Sequence, residues 1–191
     1  MKKIILASKS PRRKWLLEQV GLDFEVIPSN FEENIEGLKF SRELIENLAY
    51  QKAKEVADRL SEGLIIGADT IVILKNNILG KPKDKEDAKR MLEMLSGKTH
   101  KVLTAVCVID KDEDKTLINS CISKVTFKKL AKEEIEAYIQ TKEPMDKAGS
   151  YGIQAYGSLF VEKVEGCYNN IVGLPLNLLY EMLKAFNVYL L

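Results

Sequence analysis

The chain alternates short apolar runs with longer stretches in which apolar residues recur every three or four positions. Short apolar runs bounded by polar residues are typical of strands, and the longer period is typical of amphipathic helices. Their alternation predicts an α/β or mixed α+β fold, with a central twisted sheet and flanking helices. The paired Asn76 and Asn77 predict a hairpin turn, because asparagine tolerates positive φ. The predicted strands cover residues 3–7, 24–28, 64–74, 101–110, 117–127 and 158–164.

Capping residues and glycines set the limits of the predicted helices. Ser41 and Asp84 stand where a side-chain oxygen would accept a hydrogen bond from the first helical turn. Gly21 and Gly97 stand where helices commonly end. The predicted helices cover residues 11–20, 42–60, 85–96, 132–141 and 176–186.

Length, charge and cysteine content narrow the class of protein. The 191 residues suit one domain covering 1–191, and 29 basic against 28 acidic residues give a net charge of +1. This balance offers no general attraction to nucleic acid or to an anionic membrane, so any anion site must be local. Apolar runs of about ten residues are too short to span a bilayer. Three widely spaced cysteines indicate reduced thiols, and we expect a cytoplasmic protein.

The stretch "SKSPRRK" at residues 8–14 combines a helix start with two basic residues. Ser10 before Pro11 favours a helix start with a serine cap, which places Arg12 and Arg13 in the first turn. That turn is the positive end of the helix dipole, where basic side chains are disfavoured. Free N–H groups, the Ser8 hydroxyl and two guanidinium groups together suit a phosphate or carboxylate. The alternative is a solvated basic loop with acidic neighbours.

Lys52 falls near the middle of an apolar arc on the second predicted helix. At about 100° per residue, the arc comprises Leu44, Ile45, Leu48, Ala49, Ala53, Val56 and Leu60. A lysine at that position either extends its stem to reach water or finds a buried anion. Both alternatives are open from the sequence.

Asp69 interrupts the apolar run "LIIGADTIVIL" together with Gly67 and Thr70. A carboxylate at the centre of such a strand is costly unless it meets a metal, a cation or a cleft. Since the apolar run resumes at once, we expect a kinked strand that directs Asp69 into a cleft. The alternative is a strand end with Asp69 as a turn residue.

Three further stretches carry groups that suit a polyanion or a flat ligand. Lys81 lies between Gly80 and Pro82, and a loop carries Glu33 next to another glutamate. A restrained lysine and a pair of carboxylates suit a polyanion with a divalent cation, although each is also ordinary in a surface loop. Gln154, in a segment dense in glycine and tyrosine, offers a donor and an acceptor to a base edge. The alternative for that segment is a tight loop-and-hairpin region without a ligand.

Eight segments, in their order along the chain, resemble the Maf family of nucleoside triphosphate pyrophosphatases, also called septum-formation inhibitor-like proteins. They run from the N-terminus to near the C-terminus. The segments are "ILASKSPRR", "EEN", "QKA", "GADTIV", "GKP", "SGKTHKVLTAV", "EPMDKAGSYGIQ" and "NNIVGLPL".

The resemblance implies hydrolysis of a nucleoside triphosphate between its α and β phosphates. The products would be a nucleoside monophosphate and pyrophosphate. It also implies a Maf/ITPase-like fold with a deep cleft between two lobes, a divalent cation such as Mg²⁺ or Mn²⁺, and a homodimer.

The resemblance further implies roles for individual positions. Asp69 would be the proton acceptor, and Glu33 would help it to hold the cation. The phosphate and metal region would be lined by Ser8, Arg13, Glu33, Lys52 and Lys81. The positions associated with substrate choice are Arg12, Thr70 and Gln154, a trio similar to the subgroup that prefers dTTP and UTP.

Two other functions are compatible with the same residues. One is a nucleotide-binding regulator of cell division, in which hydrolysis is incidental. It would use the arginines equally well but gives no reason for Asp69 inside a strand. The other is a pyrophosphatase that removes modified purine nucleotides, which only the family likeness of Thr70 and Gln154 disfavours.

Overall fold

The computed structural model describes residues 2–32 and 39–191. The helices are α1 (Pro11–Gln19), α2 (Arg42–Ala57), α3 (Lys85–Leu95), α4 (Lys132–Gln140), α5 (Tyr168–Val172) and α6 (Leu176–Lys184). The strands are β1 (Ile4–Leu6), β2 (Glu25–Val26), β3 (Leu64–Leu74), β4 (Asn77–Leu79), β5 (Thr99–Asp110), β6 (Lys115–Phe127) and β7 (Val161–Glu165). Short 3₁₀ helices cover Glu143–Asp146, Ala148–Ser150 and Tyr156–Phe160.

The strands form one mixed sheet in the order β2-β1-β3-β5-β6-β7, and β4 also pairs with β3. Strand β1 runs parallel to β2 and β3, whereas the ladders from β3 through β7 are antiparallel. Helix α2 packs on one face of the sheet, where alternate residues of β3 and β5 point toward it. Helices α1, α3, α4 and α6 contribute to the larger core on the other face.

One edge of β3 is shared by two short strands. Strand β1 pairs with residues 64–66 of β3, and β4 pairs with residues 72–74. Between them, residues 67–71 pair only with β5 in the part of the chain that the structure describes. The break between the two short strands leaves an opening in the sheet, and it occurs where Asp69 and Thr70 lie.

The predicted mixed sheet with flanking helices is confirmed, and β3 has the predicted bounds. The side chains of Ser41 and Asp84 cap α2 and α3 as predicted. The division into two lobes stays a prediction.

Other local predictions were wrong. The Ser10 side chain makes no capping hydrogen bond. The Ser10 backbone N–H donates to the Ser8 Oγ atom. The predicted hairpin is confirmed as β3 and β4, but its turn lies one residue early, with positive φ at Lys75 and Asn76. The 3₁₀ helix at 156–160 replaces the start of the last predicted strand, and the five-residue α5 is too short for its period to show in the sequence.

The described cysteines are free thiols. Although distant in sequence, Cys121 and Cys167 are neighbours in the fold, and partial burial together with Cys167 raises the pKa of the Cys121 thiol. In the ranges 2–32 and 39–191, no helix has both the length and the apolar character needed to cross a bilayer.

Candidate active site

A cleft of about 460 Å³ opens at the break in the edge of β3. Its wall comes from the β1–α1 loop, α1, the segment after β2, α2, β3, the segment after β4, Val102 of β5, the 146–154 segment and the end of α5. The cleft brings together the predicted site residues Ser8, Arg12, Arg13, Lys52, Asp69, Thr70, Lys81 and Gln154. The ninth, Glu33, lies outside the described residues.

Strand β3 delivers two different groups to the cleft from consecutive positions. Its ladder with β5 is continuous from Leu64 to Ile73, so the predicted kink is wrong. The strand alternation itself places Asp69 toward α2 and Thr70 toward the opposite face. Both reach the cleft because β1 ends before them, and not because β3 bends.

Lys52 of α2 forms an ion pair with the Oδ1 atom of Asp69. The approach of α2 depends on Gly67, because a Cβ atom there would lie 2.5 Å from the Ala49 carbonyl oxygen and 2.8 Å from the Ala53 Cβ. Asp69 is only 3% exposed. Of the two sequence alternatives for Lys52, the structure shows the buried anion.

The Ser8 hydroxyl is oriented by its neighbours. Its Oγ atom accepts hydrogen bonds from the Nη1 atom of Arg13, at 3.1 Å, and from the backbone N–H of Ser10, at 3.2 Å. Because these bonds occupy both lone pairs, the hydroxyl hydrogen remains to be donated. Ser8 lines the cleft, so this hydrogen suits an acceptor such as a phosphate oxygen.

Arg13 is buried against three neighbouring segments. Besides Ser8, its Nε atom donates to the Gly173 carbonyl oxygen at 2.8 Å, and its Nη2 atom donates to the Thr70 Oγ1 atom at 3.1 Å. These contacts link α1 to β3 and to the end of α5. The guanidinium group is therefore fixed by the protein before any ligand arrives.

Arg12 faces the cleft from the same helical turn, and its Nη1 atom lies 3.2 Å from the Asp146 carboxylate. Partial burial would raise the pKa of Asp146, but Lys147 and Arg12 outweigh it and lower this pKa overall. No local pattern in the sequence assigns a role to Asp146 or Lys147. The feature that could have identified them is their location in the segment "EPMDKAGSYGIQ", which also carries Gln154.

Lys81 and Gln154 are exposed residues of the cleft wall. The chain on both sides of Gln154 is held in place. Glu143 accepts hydrogen bonds from the Tyr138 hydroxyl and from the backbone N–H groups of Tyr156 and Gly157, and the Tyr138 oxygen accepts from the backbone N–H of Gly152. Gln154 is thus presented by an ordered segment while its amide remains accessible.

The charge of the cleft is strongly one-sided. Among the described residues, its wall contains two carboxylates, those of Asp69 and Asp146. It contains six cationic side chains, which are Lys9, Arg12, Arg13, Lys52, Lys81 and Lys147. This excess contrasts with the net charge of +1 for the whole chain. The cleft is therefore suited to a polyanion.

Comparisons with known proteins identify proteins that are similar to this chain. A "dTTP/UTP pyrophosphatase" of Ruminiclostridium cellulolyticum is 53% identical over 188 residues, covering 98% of this chain and 97% of the relative. A relative of the same name from Acetivibrio thermocellus is 50% identical over 199 residues, covering 100% of this chain and 98% of the relative. Among solved structures, the Staphylococcus aureus Ham1 protein aligns with a TM-score of 0.48 and 16% identity, covering 66% of this chain and 72% of that one.

A family model described as Maf-like protein matches residues 3–186. The match includes both the β1–α1 loop and the end of α5, and so it spans every described segment of the cleft wall. The chain belongs to the Maf-like protein family.

Proposed function

We propose that this protein is a nucleoside triphosphate pyrophosphatase that hydrolyses dTTP and UTP to the monophosphate and pyrophosphate. The observation that carries the proposal is the meeting of six cationic side chains and a buried carboxylate in one cleft. Full-length relatives named dTTP/UTP pyrophosphatase support the choice of substrate. We further propose that residues 1–191 form one domain, which acts in the cytoplasm as a homodimer without nucleic acid.

The triphosphate would be bound where α1 begins. The Ser8 hydroxyl has its hydrogen left to donate, and Arg13 is fixed nearby by Gly173 and Thr70. Charge-assisted hydrogen bonds from guanidinium groups to phosphate are strong and directional. Lys81 would neutralise the exposed end of the triphosphate, because its ammonium group lies on a flexible stem in the cleft wall.

Asp69 would accept a proton from the attacking water. A P–O bond to the water oxygen forms as the P–O bond of the α–β bridge breaks, and pyrophosphate leaves with the electron pair of that bond. Lys52 holds the Asp69 carboxylate in place through the ion pair. A fixed base in an enclosed site removes the proton at the moment of attack, which is worth roughly 10²–10⁴ in rate.

The family resemblance implies a divalent cation, and the described donors are compatible with one. Within residues 2–32 and 39–191 there is no cluster of three or more metal-binding side chains. Mg²⁺ does not need one, since one or two carboxylates with phosphate oxygens and water suffice. We propose that Asp69 and Glu33 hold Mg²⁺ or Mn²⁺, whose charge would stabilise the phosphoryl oxygens.

The base would be selected by Arg12, Thr70 and Gln154, which face the cleft from three different segments. The Gln154 amide can donate to and accept from a base edge. Thymine and uracil present an N–H between two carbonyl groups, which such an amide matches. This pairing supports pyrimidines of the dTTP and UTP type as substrates.

The test is pyrophosphate release from a panel of nucleoside triphosphates by the purified full-length protein. The panel comprises dTTP, UTP, dCTP, dATP, dGTP and modified purine nucleotides, each with Mg²⁺, with Mn²⁺ and with a chelator. We expect release from dTTP and UTP above the others, and loss of release with the chelator.

Other outcomes would contradict parts of the proposal. Binding of dTTP by calorimetry without pyrophosphate release would favour a nucleotide-binding regulator. Preferred release from a modified purine nucleotide would leave the reaction standing but overturn the base assignment. Equal release with the chelator would overturn the metal.

A further inference from the structure

A series of hydrogen bonds leads from Arg13 in the cleft into the protein interior. The Nη2 atom of Arg13 donates to the Thr70 Oγ1 atom, and this atom lies 2.9 Å from the Thr104 Oγ1 atom on β5. Thr104 is fully buried and is absent from the cleft wall. It therefore contacts a residue of the site without facing a ligand.

The direction of these hydrogen bonds is fixed by the backbone. The Thr104 hydroxyl donates to the backbone carbonyl oxygen of Asn170 at 2.8 Å. With its single hydrogen used there, Thr104 must accept in its contact with Thr70. Thr70 therefore donates to Thr104 and turns a lone pair toward Arg13.

Asn170 anchors this arrangement from α5. Its Oδ1 atom accepts from the backbone N–H of Thr104 at 3.1 Å, and its Nδ2 atom donates to the Val102 carbonyl oxygen and the Ser123 Oγ atom, each at 3.0 Å. The side chain is fully buried. Rotating the amide would break all three bonds inside the protein, where unpaired polar groups are costly.

The same helix reaches Arg13 by a second route. Helix α5 is followed by Gly173, whose carbonyl oxygen accepts from the Arg13 Nε atom at 2.8 Å. Asn170 thus fixes two acceptors of one guanidinium group, one through Thr104 and Thr70 and the other through the end of α5.

We propose that Thr104 and Asn170 are positioning residues that hold Arg13 in the orientation in which it binds the triphosphate. The inference rests on the proposed function, in which Arg13 binds phosphate. Neither residue lines the cleft, so each acts on the substrate only through Arg13. Removing either contact should therefore weaken binding of the triphosphate, while Asp69 still accepts its proton.

The test compares Thr104→Val, which keeps the side-chain shape and removes the hydroxyl, with Thr104→Ser, which keeps the hydroxyl. We expect Thr104→Val to raise the KM for dTTP and the calorimetric Kd for pyrophosphate by about tenfold, with kcat within about twofold of the parent. Thr104→Ser should restore both constants. Asn170→Asp should raise KM and Kd further than Thr104→Val does. If Asn170→Asp does not fold, the comparison of Thr104→Val with Thr104→Ser decides whether the inference holds.

Thr99→Val is the matched control. It makes the same substitution at the start of β5, five residues from Thr104, where the threonine hydroxyl contacts the Thr126 Oγ1 atom of β6 at 2.8 Å. We expect it to change neither constant. A parental Kd and KM in Thr104→Val, or an equal rise of both in Thr99→Val, would overturn the inference.

The two proposals fail in different ways. If the parent protein binds pyrophosphate but releases none from any nucleotide, the proposed function fails, and the Kd comparison still decides the positioning role. If the parent binds neither pyrophosphate nor dTTP, both proposals are wrong.

Discussion

The two faces of β3 supply the cleft with different kinds of polar group. On the face toward α2, Asp69 meets Lys52 in an ion pair. On the opposite face, Thr70 meets Thr104, and a buried amide continues the series. Consecutive residues of one regular strand therefore deliver a charged pair and a neutral hydroxyl to the same opening.

This difference separates the two tasks that a phosphate hydrolase performs. In the proposed function, Asp69 is the base, and its ion pair with Lys52 holds it in place. Lys52 lies this close to Asp69 because Gly67 lets α2 approach the sheet. Neutral hydrogen bonds hold the Arg13 guanidinium in place without titrating near neutral pH. We therefore expect substitutions on the face toward α2 to change kcat. Substitutions on the opposite face should change substrate binding or the pH dependence of the free energy of unfolding.

The largest effect is expected from Asp69→Asn. The amide keeps the shape of the side chain but cannot accept a proton from water, so kcat should fall by about 10³-fold or more. The Kd for dTTP should change little, because the cations of the cleft remain. Pyrophosphate release gives kcat, and calorimetry gives the Kd.

Asp146→Asn is the matched control for Asp69→Asn, since it also removes a carboxylate of the same cleft. It should leave kcat near the parental value. If Asp69→Asn turns over dTTP at the parental rate, Asp69 is not the proton acceptor and the comparison between the two faces loses its basis.

The sequence predicts those site residues whose charge conflicts with the apolar pattern of their own strand or helix. Asp69 inside an apolar strand and Lys52 inside an apolar arc are visible in the one-dimensional pattern, and the structure pairs them. Thr104 gave no such signal, because threonine is ordinary in a strand. Its contact with Thr70 depends on the register of β3 against β5, which no local pattern encodes.

The origin of the cleft was also not predictable from local sequence. The apolar run correctly predicts the limits of β3, but its interruption at Asp69 predicts a kink that the strand does not have. The opening instead arises because β1 stops at Leu6 and β4 starts its pairing at Val72. The role of Glu33, outside the described residues, stays a prediction.

A larger residue at Gly67 would push helix α2 away from the sheet. The Cβ atom in Gly67→Ala would lie 2.5 Å from a helix carbonyl oxygen, which must move. We expect the free energy of unfolding to fall by about 3 kcal/mol, as in other overpacked cores. Urea denaturation measures this loss, and kcat should fall with it because Lys52 moves with α2.

Gly97→Ala serves as a control with a different cause, since its added Cβ would have its nearest contact at 3.8 Å but the residue has a φ of +66°. It should lose stability with an unchanged kcat. If Gly67→Ala keeps the parental stability and kcat, close packing at Gly67 does not position Lys52.

Acid should destabilise the protein through a buried histidine on the Thr70 face of the sheet. His100 lies on the Thr70 side of β5, hydrogen-bonded to Tyr151, and burial lowers its pKa from 6.5 to about 4. The unfolded chain therefore binds a proton at higher pH than the folded one, and stability falls as the pH drops below 6.5. Between pH 7 and pH 5 we expect a loss of about 2 kcal/mol from this group.

His100 is the sole histidine, so His100→Gln isolates its contribution. Urea denaturation of parent and variant at both pH values gives the difference, in which the carboxylates common to both proteins cancel. An identical pH dependence of the two proteins would show that His100 is not held neutral in the fold.

The smallest effect is expected from Asp146→Asn, at the partly exposed edge of the cleft. The Asp146 carboxylate holds Arg12 at 3.2 Å, but it is a partly exposed pair of the kind worth at most about 1 kcal/mol. Its removal frees Arg12 for the substrate, so the KM for dTTP should fall about two- to threefold with kcat unchanged. Glu165→Gln, which removes a carboxylate paired with Lys163 on β7, should change neither constant. A raised KM in Asp146→Asn would instead mean that this carboxylate orients Arg12 toward the substrate. Asp146 would then position Arg12 in the same way as Thr70 and Thr104 are proposed to position Arg13.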